Sequence, residues 1–378
     1  MKKILYIVST LKRTGPINQL YNIIKYLDRN EFEPYLITLS PEPKDSRWAD
    51  YEALGVHLFS LGLSRSKGFL RARKQIQSLL FEIKPDLIHS QGIRGDVISY
   101  KLRISIPKLA TVHNMPQFDY LMTYGHITGR LMCVKHINVL RKISLCVGVS
   151  EVVTNNLKNK YKIKDVLTIQ NGVDTDVYFP ANNDEKKLLL QRLNLPLTGN
   201  IFISSGHLSE RKDPLFLIKM WNKRFGIQSD NYLVFIGSGN LQKKCIQKSI
   251  INKTIRVVGR VRNVPDYLRC SNYFISASHT EGLPNSVLEA MACGLPVLLS
   301  DIDPHKEIIA HAPDAGVYYE LDNETYFLSM LDKITAMDKD VMSKASLNVI
   351  NNFFNAKRMS EEYQHKYLEL CSPVVKAT

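Results

Sequence analysis

The sequence predicts an α/β protein of two domains, each built on a parallel β-sheet. Its 378 residues exceed one ordinary domain and suit two. Short apolar runs alternate with segments of helical periodicity along the chain, and this pattern forms βαβ units. A polar connector without a strand interrupts the alternation at residues 179–198. We therefore predict an N-terminal domain over residues 1–178, a second domain over residues 199–352 and a C-terminal helix over residues 353–378.

Each predicted strand is a short apolar run bounded by turn-forming residues. In the first domain we predict strands at residues 3–8, 35–39, 86–89, 108–112, 145–149 and 166–170, and a helix over residues 70–81. In the second domain we predict them at residues 201–205, 232–236, 255–258, 273–276 and 296–300. Ligands of such sheets bind beyond the carboxyl ends of the strands, so a deep cleft between the domains is the expected site. The helical periodicity does not show where the C-terminal helix packs. One possible arrangement is that it packs back on the N-terminal domain.

Composition predicts a cytoplasmic globular protein. The apolar fraction is 44% and the charged fraction 23%. Five apolar residues follow Met1-Lys2-Lys3, too few for a signal peptide, and no stretch approaches the roughly 20 apolar residues of a membrane-spanning helix. The six cysteines are widely spaced and form no C-x-x-C pair, which favours reduced thiols and argues against a zinc site.

The formal charge of +14 lies mainly in the first half of the chain. Residues 1–180 contain 26 Lys and Arg against 15 Asp and Glu, a balance of +11, whereas residues 181–378 contain 24 against 21, a balance of +3. This asymmetry indicates contact with an anionic surface, such as acidic lipid headgroups or a phosphorylated acceptor, with a solvated basic face as the alternative. The sequence shows no evident set of aromatic residues on which the bases of single-stranded nucleic acid would stack, so no nucleic-acid partner is expected.

The most informative segment lies between Glu281 and Glu289. A predicted strand leads into a polar loop, and Gly282 and Pro284 then open a helix. Amide groups at a helix start favour an anion such as a diphosphate. Glu289, within the same helix, offers two carboxylate oxygens to a ribose diol.

The two glutamates are separated by seven residues and followed by Ala-Met-Ala-Cys-Gly-Leu-Pro. This segment resembles the E-x7-E signature of retaining glycosyltransferases of family 4, which have the GT-B fold. Supporting segments follow in the family's order: Thr111-Val112-His113-Asn114, Val149-Ser150-Glu151, Asn171-Gly172-Val173-Asp174, Gly206 to Asp213, Val234 to Gly239, and Val258-Gly259-Arg260. The resemblance covers nearly the whole chain. It implies two Rossmann-like domains, of which the second binds a nucleotide-sugar donor.

The resemblance also implies roles for individual residues. Glu281 would lie beside the donor sugar, Glu289 would bind the ribose, and Lys212 would stabilise the charge of the leaving diphosphate. His113, at the carboxyl end of its strand, would contact the sugar or the acceptor and is assigned with Glu281 to the catalytic centre. Gly15 would let the backbone approach the phosphate or the acceptor. The helix entry completes the donor site with Gly282, Leu283, Pro284, Asn285, Ser286 and Val287.

The chain departs from the family in two loops. It has Gly206-His207-Leu208 where Gly-Arg-Leu is usual, and Gly15-Pro16 where paired glycines are usual. His207 is nevertheless kept in the predicted donor site, although histidine lacks the fork of arginine and is only fractionally charged near neutral pH. One hypothesis is that Arg211 supplies the missing cation; the alternative is a solvated charge at a helix start.

Other motifs are interpreted as structural. Asp174-Thr175-Asp176 and Asp301-Ile302-Asp303 have a spacing that can hold a divalent ion. The resemblance is to metal-independent enzymes, so we predict no metal and no cofactor besides the substrate nucleotide-sugar. Gly237-Ser238-Gly239 lacks the third glycine of a dinucleotide site.

His89 and Gly92 are expected to shape the wall of the cleft.

Residues 126–143 combine cations with apolar residues at helical spacing. One interpretation is a buried core helix. The other is a surface that binds anionic lipid and the polyprenyl tail of an acceptor through Arg130, Lys135, Arg141 and Lys142.

Together these observations predict a hexosyl- or N-acetylhexosaminyltransferase. It would move a sugar from a nucleoside diphosphate to a saccharide or lipid-linked saccharide during bacterial O-antigen or capsule synthesis. The expected nucleoside diphosphate is UDP. This transferase would act as a peripheral protein on the cytoplasmic face of the inner membrane. The alternatives are a sugar-nucleotide 2-epimerase of the same fold and a non-catalytic protein that binds an anionic surface.

Overall fold

A computed structural model describes residues 1–64, 68–227 and 229–372. The chain divides into two compact units: unit 1 comprises Met1–Asn171 and Ala356–Thr378, and unit 2 comprises Gly172–Asn355. Residues 172–178, expected in the N-terminal domain, therefore belong to unit 2.

In its described residues, unit 1 has a parallel sheet of the order β3-β2-β1-β4-β5-β6-β7. The strands are β1 (Lys2–Val8), β2 (Phe32–Thr38), β3 (His57–Ser60), β4 (Leu87–Gln91), β5 (Lys108–Val112), β6 (Leu145–Gly148) and β7 (Val166–Thr168). The helices are α1 (Gly15–Lys25), α2 (Trp48–Ala53), α3 (Gly68–Ile83), α4 (Gly92–Lys101), α5 (Pro116–Tyr124), α6 (His126–Leu140) and α7 (Glu151–Asn155), the last followed by a π-helical turn, Asn156–Lys160. The central strand β1 is a nearly continuous apolar run, because its residues alternate between two apolar cores, one on each face of the sheet.

Unit 2 repeats this arrangement with the parallel order β10-β9-β8-β11-β12-β13. Its strands are β8 (Asn200–Ser205), β9 (Asn231–Ile236), β10 (Ile255–Gly259), β11 (Tyr273–Ser276), β12 (Val297–Ser300) and β13 (Gly316–Tyr319). Its helices are α8 (Asn183–Arg192), α9 (Pro214–Phe225), α10 (Gln242–Ser249), α11 (Val264–Cys270), α12 (Asn285–Ala292), α13 (Asp303–His311), α14 (Glu324–Ala336) and α15 (Lys339–Phe353). The strand order reverses beside β1 in unit 1 and beside β8 in unit 2, so each sheet has a topological switch point.

The predicted strands are present with shifts of a few residues at their ends. The edge strands β3 and β13 and helix α8 are among the elements that were not predicted. The edge strands β3 and β13 have only four residues each, too few for a clear alternation. Helix α8 lies within the expected linker. It begins with a capping box, in which Asn182 accepts the Glu185 amide at 2.9 Å and Glu185 accepts the Asn182 amide at 3.1 Å. Its buried face packs on α11, so this segment is part of unit 2.

The closing helix α16 (Ala356–Cys371) packs on α1 within unit 1. Ser360 donates to the Ile23 carbonyl at 2.7 Å, and the side chains of Tyr363 and Tyr367 are fully buried. Helix α16 therefore completes the core of unit 1, although it follows all of unit 2 in the sequence.

A buried polar network joins α16 to the sheet. Nδ1 of His89 lies 2.7 Å from the Tyr367 hydroxyl, and Nε2 lies 2.8 Å from the hydroxyl of Thr111, which is 2.9 Å from that of Tyr363. Burial lowers the pKa of His89 to about 3, so its ring is neutral. His89 is fully buried. The expectation that it shapes a cleft wall is wrong, because both of its nitrogens face partners inside unit 1.

The six cysteines are free thiols, five of them buried. Among the helices of the described residues, none combines the length and the apolar content that crossing a membrane requires.

We predict that Tyr367→Phe destabilises unit 1, because it leaves Nδ1 of the buried His89 without its partner. The expected loss in the free energy of unfolding is about 1–3 kcal/mol. Tyr124→Phe removes a hydroxyl from an exposed tyrosine of the same unit and serves as the control. Chemical denaturation of both variants measures the difference; equal losses would contradict a special role for the network.

Candidate functional site

The loops that follow β8 and β11 form a charged cluster at the switch point of unit 2. The first loop supplies Arg211 and Lys212, and the second supplies Glu281, four residues before the start of α12. In open parallel sheets this is the position at which ligands bind. The topology therefore brings together three of the residues singled out in the sequence.

Glu281 is a buried carboxylate held by two cations. Nζ of Lys212 lies 2.7 Å from Oε1, and Arg211 binds Oε2 while also donating to the Thr280 carbonyl at 2.8 Å. Burial raises the pKa of Glu281, but the charges and hydrogen bonds of Lys212 and Arg211 outweigh it and lower the pKa to about 2. Glu281 is thus ionised at physiological pH and cannot act as a proton donor.

Lys212 also connects Glu281 to the start of α12. Its ammonium lies 3.3 Å from Oγ of Ser286, in the first turn of that helix. Gly206, with a φ of 136°, makes room for this side chain, since a Cβ there would stand 3.3 Å from Cε of Lys212. Two cations against one carboxylate leave this cluster positive, next to the positive end of a helix.

Glycines pack the neighbouring loops together. A Cβ on Gly237 would stand 1.8 Å from the Gly206 carbonyl oxygen, and one on Gly239 would stand 2.1 Å from that of Leu208. Close packing of two backbones therefore accounts for Gly237-Ser238-Gly239 without a dinucleotide.

The first turn of α12 differs in one respect from the sequence-based expectation. The Val287 amide donates to the Pro284 carbonyl at 3.0 Å, so it is already engaged within the turn. Leu283 and Pro284 are buried. The set of amides open to a ligand is accordingly smaller than the sequence suggests.

Glu289 lies one turn beyond Ser286 on α12. Burial raises its pKa to about 7, against the opposing effects of a hydrogen bond from Tyr178 and the charge of Lys212. Sequence reasoning missed Tyr178, because it assigned this residue to the other domain. Its position follows from a turn in which the Asp174 carbonyl accepts the Tyr178 amide at 2.9 Å.

The first carboxylate of each D-x-D segment makes a structural contact. The Asp174 side chain accepts the Asp176 amide at 3.2 Å within the turn before Tyr178. Asp301 accepts the Leu321 amide at 2.9 Å and lies 3.5 Å from Lys306.

A separate group with ligand atoms close enough for a metal comprises Asp213, His279 and Asp322. Asp213 caps α9 through the Phe216 amide at 3.0 Å, and its second oxygen lies 3.2 Å from Nε2 of His279. This contact raises the pKa of His279. A cap and an ion pair account for Asp213 and His279, and the metal-independent reaction stays a prediction.

Of the two residues considered for the missing family arginine, Arg211 is the one that contacts Glu281. His207 is exposed, and its carbonyl accepts the Ser209 hydroxyl at 3.3 Å. The geometry therefore favours Arg211 as the cation at this position, although its contribution to donor binding remains a prediction.

Unit 1 has its own polar group at the carboxyl ends of neighbouring strands. Nε2 of His113, just after β5, lies 3.0 Å from Oε1 of Gln91, the last residue of β4. Burial lowers the pKa of His113 to about 4, so the ring is neutral and presents Nε2–H to Gln91 and a lone pair at Nδ1. Gln91 was not among the predicted site residues, although the sequence indicates its position at the end of a strand beside the switch point. Gly15 begins α1 after the loop that follows β1.

Two family models match the chain, one in each half. Residues 15–177 match glycosyltransferase family 4, and residues 185–340 match the glycosyl transferases group 1. The chain belongs to the group 1 glycosyltransferases. The cluster around Glu281 lies within the second match, and His113 lies within the first.

Two bacterial glycosyltransferases are among the relatives of this chain. It is 28% identical over 215 residues to UDP-Gal:alpha-D-GlcNAc-diphosphoundecaprenol alpha-1,3-galactosyltransferase of Escherichia coli, a match that spans 54% of each chain. It is 27% identical over 381 residues to the capsular polysaccharide biosynthesis glycosyltransferase CapH of Staphylococcus aureus, covering 97% of this chain and 100% of that one.

Among solved structures, HepE of Anabaena in complex with UDP and glucose superimposes with a TM-score of 0.80 at 16% identity. The match covers 98% of this chain and 100% of HepE. It shows the fold, which is that of the GT-B glycosyltransferases.

We predict that the ionisation of Glu289 makes the enzyme less stable as the pH rises. Its pKa of about 7 in the folded state exceeds the ordinary value of 4.5, so its stabilising contribution is complete below about pH 4.5 and is lost as the pH rises through 7. Glu289→Gln cannot ionise. The free energy of unfolding of this variant, relative to the wild type, should therefore increase between about pH 5 and about pH 8.

Glu324→Gln is the control for this measurement. Hydrogen bonds from Lys219 and Lys223 lower the pKa of Glu324, so it is ionised in the folded and unfolded chains across this range. Its difference from the wild type should not change with pH. The same flat profile for Glu289→Gln would contradict the raised pKa.

Proposed function

We propose that this glycosyltransferase moves a sugar from UDP to a hydroxyl of a lipid-linked saccharide, with retention of anomeric configuration, during assembly of a bacterial surface polysaccharide. The observation that carries the proposal is the position of Lys212. Its ammonium lies between the Glu281 carboxylate and the first turn of α12, the helix that also bears Glu289.

The donor would bind along α12. Lys212, Arg211 and the positive start of the helix favour the diphosphate. Glu289 follows Ser286 by three residues, about 4.5 Å along the helix axis, a spacing that suits a ribose next to a phosphate. Its carboxylate, once ionised, can accept both ribose hydroxyls. A UDP donor is supported by the uridine nucleotides in the names of the Escherichia coli relative and the HepE complex.

The state of Glu281 favours attack on the face from which the diphosphate leaves. Both of its oxygens are bound by cations, so it is a poor nucleophile and has no proton to give. The acceptor oxygen would bond to the anomeric carbon as the bond to the β-phosphate oxygen breaks, and its proton would pass to the departing phosphate. Glu281 would then orient the sugar and balance the charge of the two cations.

The acceptor side would involve His113 in unit 1. With Nε2–H directed at Gln91, its Nδ1 can accept a hydrogen bond from a hydroxyl of the sugar or the acceptor. A lipid-linked acceptor is supported by the Escherichia coli relative, whose name specifies a diphosphoundecaprenol-linked sugar. Work on such an acceptor would place the enzyme at the cytoplasmic face of the inner membrane.

The test is incubation with a set of UDP-sugars while UDP release is measured with and without a lipid-linked acceptor. We expect release that depends on the acceptor, and NMR of the product should show the anomeric configuration of the donor. A 2-epimerase would convert the UDP-sugar without acceptor. A non-catalytic protein would produce neither change, and an inverted product would refute retention.

We further predict that Glu281→Gln and Lys212→Met change UDP affinity in opposite directions. Removing the carboxylate leaves both cations to the diphosphate, so UDP should bind more tightly, while kcat falls by a factor of about 100 because the sugar loses its charged partner. Removing the ammonium should weaken UDP binding by a factor of about 10 or more.

Calorimetric titration with UDP and initial-rate kinetics measure the two effects. Glu324→Gln is the matched control, since it also removes a glutamate that is paired with two cations, in this case Lys219 and Lys223. It should leave both quantities unchanged. Weaker UDP binding by Glu281→Gln would contradict the proposed arrangement.

A further inference from the structure

Helix α6 of unit 1 is apolar on two opposite faces. Its inner face is buried and includes Cys133, Ile137 and Leu140. On its outer side Ile127, Leu131 and Val134 are 80%, 68% and 61% exposed. The interpretation of this segment as a purely buried core helix is therefore incomplete.

The three exposed residues form a stripe. At about 100° of rotation per residue they fall within an arc of about 60°. On the preceding helix α5, which packs on α6, Phe118 and Met122 are also exposed. We call these five apolar residues the α5–α6 outer face.

This face is borne by a firmly packed pair of helices. Gly129 brings α6 against α5 so closely that a Cβ there would stand 2.5 Å from the Tyr120 carbonyl oxygen. Nδ1 of His136 lies 2.7 Å from the Tyr120 hydroxyl, and its Nε2 lies 2.7 Å from a carboxylate oxygen of Asp96 on α4. Since buried contacts from the two neighbouring helices α4 and α5 fix α6, the outward stripe is a built surface rather than a frayed end.

Cations border the outer face. Arg130 and Lys135 are exposed and fall on opposite sides of the stripe, by the same rotation of about 100° per residue. Nζ of Lys160 lies 6.0 Å from the centre of the Phe118 ring. Over residues 115–164 the chain contains eight Lys and Arg and two Asp and Glu, a balance of +6. The partner is therefore expected to combine an apolar interior with a negatively charged surface.

We infer that the α5–α6 outer face docks on a bilayer that contains anionic phospholipid. The apolar stripe enters the boundary between headgroups and acyl chains, and the bordering cations remain at the phosphates. This geometry suits a helix that lies in the plane of the membrane. The inference concerns unit 1 alone and does not depend on the donor or the acceptor.

The test is cosedimentation of the full-length protein with vesicles of phosphatidylcholine, with and without phosphatidylglycerol. We expect binding to the anionic vesicles that weakens as salt is added, and little binding to the neutral ones. The triple variant Ile127→Ser, Leu131→Ser, Val134→Ser should bind more than tenfold more weakly, because three apolar side chains no longer enter the lipid. Arg130→Gln combined with Lys135→Gln should lower affinity and reduce the salt dependence.

Ile250→Ser combined with Ile251→Ser is the matched control. These two residues of unit 2 are 71% and 81% exposed and also lie among lysines. The control should bind vesicles like the wild type. Thermal denaturation checks that each variant is folded. We expect all of them to be folded, because every replaced side chain is exposed.

Three results would overturn the inference. They are equal binding to neutral and anionic vesicles, undiminished binding of the triple variant, and a dimer in solution that the triple variant abolishes while vesicle binding persists. The last result would identify a second copy of the chain as the occupant of the face.

Discussion

The ion cluster of Glu281, Lys212 and Arg211 is the interaction on which the candidate site depends. A buried carboxylate without partners costs several kcal/mol, and two cations offset that cost here. The same contacts fix the Lys212 ammonium beside Glu281 and at the first turn of α12. An anion that enters meets cations already in position, so little reorganisation is required.

The topology of unit 2 makes this cluster possible. Residues 211 and 212 are about 70 positions from Glu281, but β8 and β11 are neighbours in the sheet and the loops after them meet at one edge. Gly206 then leaves space for the stem of Lys212. In unit 1 the corresponding strand ends carry Gln91 and His113, which form a neutral hydrogen-bonded pair instead of an ion cluster. The two units therefore offer different chemistry on similar sheets.

Much of this could be predicted from the sequence, because strand runs, helix periodicity and the segment from Glu281 to Glu289 are local signals. What escaped prediction depends on contacts between distant residues. No local pattern shows that Tyr178 donates a hydrogen bond to Glu289. Nor does one show that Tyr363 pairs with Thr111 and Tyr367 with His89. His89 was misjudged for this reason, since its burial comes from a helix nearly 280 residues later. Helix α8 was a different case, because its capping box at Asn182 was present in the sequence and was overlooked.

The central claim is that the switch point of unit 2 holds the nucleotide of the donor. A crystal structure of the enzyme with UDP tests it most directly. The account predicts the diphosphate within hydrogen-bond distance of Nζ of Lys212 and the ribose hydroxyls on the carboxylate of Glu289. A nucleotide bound elsewhere, or one that leaves Lys212 paired with Glu281 alone, would contradict it.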